Sequence, residues 1–131
     1  MIIAIDFDGT VVDNCWPRIG EEVPGAVDAL MALVVAGHDL VLWTCRCDAP
    51  LEDAVAWFAD RGIPLAGVNE SPRGVGISPK LSADLYIDDK CLGVPAVTPF
   101  GFRCQVVDWP KILEMLGQSP AQPWPSIRPH D

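Results

Sequence analysis

The chain has 131 residues, half of them hydrophobic, and a formal net charge of −9. That size and composition suit one globular domain with a sizeable apolar core and exclude general disorder. The negative charge excludes the broad positive field of a non-specific nucleic-acid binder, and it means that any site for a phosphate ester needs local cations, a metal together with selected Lys and Arg residues.

The opening run Met1-Ile2-Ile3-Ala4-Ile5-Asp6 has no positive n-region and meets an acid early. It reads as a first strand over 2–6 and not as a signal peptide. An Ile-rich run of this kind suits a strand buried on both faces of a parallel sheet. Asp6-Phe7-Asp8-Gly9-Thr10 follows directly. Gly9 permits a sharp turn and close approach of the backbone to a ligand. The two carboxylates can therefore occupy different parts of one site. Residues 13–22 form a short flap, in which Asp13, Asn14, Trp16 and Arg18 are candidates to touch a substrate.

Val27, Leu30, Met31 and Val34 share one helical face, with Pro24 before them and Gly37 after. A second strand is expected over 39–44. It ends in Thr44-Cys45-Arg46, where a hydroxyl and free backbone amides can hold phosphate oxygens. Leu51, Ala54, Val55 and Phe58 make a second helical stripe, begun at Asp48 and Pro50 and closed at Gly62. Further strands are expected over 64–68 and 84–88, and a weaker one near 104–107. Between them, 69–79 reads as a loop, from which Arg73 is a candidate to reach the site. Lys80 follows the loop, and Asp88-Asp89 ends the strand after it. Ile112, Leu113 and Leu116 suggest a third helix, closed by Gly117. The Pro-rich tail, with Trp124 and His130, is set apart, so the expected division is a domain over 1–117 and a tail over 118–131. His38 falls at the wrong end of its strand for catalysis and reads as structural.

Strands alternating with helices imply a parallel sheet covered by helices, with ligands at the carboxyl ends of the strands. The polar residues singled out lie there. Of two carboxylates beside a phosphate, one can attack phosphorus and the other can carry protons. The plain alternative is a strand-ending turn without a catalytic role. Lys80 offers charge to the nucleophile and phosphoryl group. Adjacent acids at a buried strand end are costly without a counter-charge, and a hard cation such as Mg2+ removes that cost. The five cysteines are odd in number and lack Cys-x-x-Cys spacing. They read as reduced thiols in a cytoplasm.

Asp6-Phe7-Asp8-Gly9-Thr10, Thr44, Lys80 and Asp88-Asp89 resemble the four ordered motifs of the haloacid dehalogenase superfamily, most closely its small capless phosphatases. The resemblance spans nearly all of the chain before the tail. It implies a Rossmann-like three-layer sandwich with a central parallel sheet and no cap, since the gaps between motifs leave no room for a lid domain. It implies Asp6 as nucleophile, Asp8 as general acid and base, Thr44 as phosphoryl ligand and Lys80 as charge stabiliser. Gly9, Thr10, Cys45 and Arg46 would contact substrate. Mg2+ would be held by the Asp6 and Asp88 carboxylates and the Asp8 main-chain carbonyl. Asp89 would assist through water or by orienting Lys80. The expected substrate is a small phosphorylated metabolite, with neither nucleic acid nor membrane as partner, and a homo-oligomer is a sensible way to cover an open site. Competing readings are a phosphatase of a macromolecular substrate, a receiver-like signalling module and a catalytically silent phosphate-binding protein. A receiver needs its acceptor Asp after the third strand, where this chain has Asn69.

Overall fold

The Ile-rich start of the chain becomes the inner strand of a parallel sheet. The computed structural model describes residues 1–72 and 78–118; Arg73, Trp124 and His130, and nearly all of the tail, lie outside the described residues. In chain order the elements are β1 (Ile2–Ile5), β2 (Val12–Cys15), β3 (Arg18–Glu22), α1 (Ala26–Val35), β4 (Asp39–Leu42), α2 (Asp48–Asp60), β5 (Gly67–Val68), β6 (Leu85–Ile87), β7 (Ala96–Val97), β8 (Val106–Val107) and α3 (Trp109–Met115). The main sheet has the order β5-β4-β1-β6, with every pair parallel. The chain is thus an α/β fold. No described helix is long and apolar enough to cross a membrane.

Side chains alternate across the sheet. Ile3 and Ile5 of β1, and Leu40 and Leu42 of β4, face one side. There they join Leu30 and Leu33 of α1, Trp57 and Phe58 of α2, and Trp109 and Ile112 of α3 in one buried cluster. Ala4 and Val41 face the other side and meet Leu81, with Ile2, Trp43 and Ala83 half-buried around them. The three-layer expectation therefore needs correction: among the described residues all three helices share the core on one face. On the second face the described residues 69–72 and 78–84 form no helix, and Pro72 and Pro79 disfavour one there by removing amide donors and restricting the residues before them.

Local departures have similar causes. In α1 the fully buried positions are Ala26, Ala29, Leu30 and Leu33, with Val27, Met31 and Val34 at the margin. The helix is apolar nearly all round, so its stripe could not fix the buried face to within a residue. β5 is only Gly67–Val68 instead of 64–68. Pro64 has no amide to give a ladder. The strand expected near 104–107 is β8, which pairs antiparallel with β7 outside the main sheet. The flap is a hairpin, β2 against β3, with an irregular register between Val12 and Asn14. α3 starts where the Asp108 carboxylate accepts from the Lys111 amide at 3.2 Å, with Pro110 in its first turn.

Candidate active site

The parallel register sets Ile5 beside Ile87, and the ladder continues one residue further, where the Asp6 amide donates to the Ile87 carbonyl at 3.0 Å. Asp6 and Asp88 are thereby carried to one rim of the sheet. Carboxylate oxygens of Asp6, Asp88 and Asp89 lie within 4.8 Å of one another. Thr10 ties this group together. Its hydroxyl donates to Asp6 Oδ2 at 2.9 Å and accepts from the Asp89 amide at 3.1 Å. The turn that delivers Thr10 is braced from below: Trp109 Nε1 donates to the Thr10 carbonyl at 2.8 Å, and the Val107 amide to the Gly9 carbonyl at 3.2 Å.

Gly9 has φ +83°, and a Cβ there would overlap the Asp89 carboxylate. Both its backbone and its missing side chain are required. Gly9→Ala is expected to cost about 1–3 kcal/mol, from left-handed strain and displacement of Asp89. Urea denaturation measures the loss, and calorimetric titration with magnesium should show weaker binding in the same variant.

Burial, then the charge of Asp88 and a hydrogen bond shared with the Asp89 carboxyl, push the Asp6 carboxyl from 3.8 to about 8; the Thr10 hydroxyl and the Phe7 backbone oppose them. Asp89 is raised as well, chiefly by burial. Burial, reinforced by this crowding, favours the neutral form of Asp6 when no cation is bound. An all-oxygen donor set with unrelieved negative charge fits a hard divalent cation such as Mg2+. Asp89 stands in the cluster on the same terms as Asp88, more directly than its expected helping role.

Asp8 is placed differently. Its two oxygens accept from Arg46 Nε at 2.7 Å and Nη2 at 2.6 Å. Arg46 is 2% exposed. Its remaining donors go to the carbonyls of Pro17 and Pro50, from Nη1, and of Arg18, from Nη2. The guanidinium also lies over the rings of Phe7 and Trp16. The expectation that Arg46 contacts substrate is therefore corrected: every guanidinium donor is spent inside the protein, joining Asp8, the flap and the first turn of α2. The Asp8 carboxylate is the partner of Arg46 and stands outside the acidic cluster.

Thr44 follows the last sheet bond of β4, in which the Trp43 amide donates to the Ile5 carbonyl at 2.8 Å. The Thr44 hydroxyl accepts from the Arg46 amide at 3.1 Å, and the Asn69 side chain accepts from the Thr44 amide at 2.8 Å. Cys45, between them, is exposed. Asn69 has φ 54°, a conformation Asn tolerates better than most residues. Its position just past a strand was the available signal for its role as a brace. Lys80 is not brought into an ion pair with Asp6 or Asp88. Its amine sits 5.6 Å from the centre of the Tyr86 ring, beside a cavity that Asp88 also lines. The cation against the cluster is Lys90, at 3.9 Å from Asp89 Oδ2 and largely exposed. Sequence reasoning passed over it, as it did Trp109.

No protein-family model matches the chain. No curated protein matches it. Among solved structures, that of a conserved protein coded by a locus of Bacteroides thetaiotaomicron superposes with a TM-score of 0.75, with 40% sequence identity over 89% of this chain and 89% of that one. The chain belongs to the same family as that conserved protein.

Proposed function

We propose that this chain is a magnesium-dependent phosphomonoester hydrolase of the capless haloacid dehalogenase type, acting on small phosphorylated metabolites through an aspartyl-phosphate on Asp6. The observation that carries this reading is the meeting of Asp6 with Asp88 and Asp89 at the ends of adjacent parallel strands, with the Thr10 hydroxyl aligning Asp6. The finer fold assignment has support in the spacing. One hairpin and α1 separate the first acids from Thr44, and α2 and β5 follow it, so the described residues contain no lid domain.

Asp6 attacks phosphorus through one carboxylate oxygen. The bond from phosphorus to the ester oxygen breaks, and its electron pair leaves with the alcohol. Water then attacks the aspartyl-phosphate, restoring the carboxylate and releasing inorganic phosphate. Asp6, Asp88 and Asp89 would hold Mg2+, which would supply the positive charge a phosphate needs to approach so acidic a protein. The Thr44 hydroxyl proton and the Cys45 amide would hold phosphoryl oxygens, since the Thr44 and Arg46 amides are already bonded. Asp8 is the proton carrier for the leaving oxygen and then for water.

A panel of small phosphate esters tests the reading. Release of inorganic phosphate is expected with magnesium and not with EDTA, and 5′-phosphorylated oligonucleotides should be poorer substrates. Binding of magnesium without hydrolysis of any ester would overturn it.

A further inference from the structure

On the sheet face that carries no described helix, Leu81 packs on Ala4 and Val41, and a cavity lies beside that contact. Alternation puts Ala4 and Asp6 of the first strand on that face, and likewise Tyr86 and Asp88 of β6 and its continuation. Ala4 lies directly opposite Tyr86 on one side and Val41 on the other, and Trp43 follows Val41 by two residues. Trp43 is therefore level with Asp6, and Tyr86 with Ala4, so the two aromatic side chains stand diagonally across the first strand, on strands two spacings apart, roughly 9–10 Å. A cavity of about 410 Å3 occupies this place, lined by Ala4, Trp43, Tyr86, Ile87, Asp88 and Lys80 among others. That volume falls within the range of small-ligand pockets, roughly 300–1,000 Å3.

The walls are set. The Tyr86 hydroxyl donates to the Leu81 carbonyl and accepts from the Ala83 amide at 3.1 Å, which fixes the ring. The Lys80 amine stands over the rim of that ring. Asp88 belongs both to the cavity and to the acidic cluster. The slot is therefore lined by two aromatic rings, a cation and a carboxylate of the acidic cluster. This set matches a molecule that joins a flat ring to a phosphate.

We infer that this slot receives the leaving group of the substrate and selects phosphate esters whose alcohol carries a flat unsaturated ring. The inference rests on the reading of Asp6 as the residue that attacks phosphorus. Contact with the Tyr86 and Trp43 rings supplies the preference, and Lys80 meets the negative charge of the phosphate.

Benzyl phosphate and propyl phosphate test it, because their alcohols leave with comparable difficulty and differ in the ring. With magnesium present, kcat/KM is expected to favour the benzyl ester by about tenfold to a hundredfold, the range of one stacked ring. The non-hydrolysable benzylphosphonate should bind with a correspondingly lower Kd than propylphosphonate. Trp43→Leu and, separately, Ala4→Val, which narrows the floor, should bring both ratios close to one. Equal Kd values for the two phosphonates in the wild-type protein would overturn the slot. Ratios unchanged in both folded variants would do the same. Selective phosphonate binding without turnover of either ester would overturn the hydrolase reading and leave the slot standing.

Discussion

Asp6→Asn is expected to lower phosphate release by about 10^4-fold or more, the scale of losing a covalent nucleophile. The same change should make the metal-free protein more stable. The Asp6 carboxyl rises from 3.8 to about 8 in the fold. The folded state therefore favours its neutral form. That contribution to stability is complete below about pH 4 and is lost as pH rises through about 8. Above that range two or more negative carboxylates face one another within 4.8 Å. At an effective dielectric of about 20, Coulomb's law gives a pair 4.8 Å apart a repulsion of roughly 3.5 kcal/mol. In EDTA the melting temperature of the wild-type protein should fall relative to Asp6→Asn between pH 5 and 9, leaving the variant several degrees higher at pH 9. Magnesium should narrow the gap by stabilising the wild type more than the variant, which keeps only Asp88 and Asp89. A variant less stable than the wild type at pH 9 in EDTA would show that these acids do not repel as placed.

Arg46→Met is expected to destabilise the fold by about 3–5 kcal/mol, the usual cost of leaving one partner of a buried ion pair alone. Side-chain exposure is 1% for Arg46 and 17% for Asp8. Removing the guanidinium strands the Asp8 carboxylate and the carbonyls of Pro17, Arg18 and Pro50. Arg46→Lys should recover little, because an ammonium cannot reproduce the two parallel bonds to Asp8. Urea denaturation at neutral pH measures both variants. A loss below about 1 kcal/mol for Arg46→Met would mean that the pair is open to water and idle, as exposed pairs are.

The parts of the fold legible in the sequence were those governed by local pattern. The run Ile2-Ile3-Ala4-Ile5 is apolar on both faces, as a central parallel strand must be, and Leu40-Val41-Leu42 repeats that pattern beside it. Asp6 and Asp88 could be placed at strand ends because acids directly after such runs have nowhere else to go. The limits were long-range. Arg46 is 38 residues from Asp8, and its other partners come from the flap and from α2. No spacing rule states that one arginine will satisfy three segments at once, so it read as a substrate contact. Lys80 stood in the right order along the chain, but its loop sets the amine over Tyr86 and leaves Lys90 next to the cluster. The second helical layer was expected from the alternation of elements, and the prolines between β5 and β6 were the local sign against it. The slot floored by Ala4 depends on the register of three strands, which no single segment reveals.

The most direct measurement is chemical trapping of the intermediate. The protein is mixed with magnesium and a hydrolysed ester, quenched in acid within one turnover and reduced with borohydride, which converts an aspartyl-phosphate to homoserine. Mass spectrometry of the peptide containing residues 1–18 should find that conversion at position 6 and not at position 8. Phosphate release with residue 6 unmodified, or with the label on another side chain, would contradict Asp6 as the nucleophile.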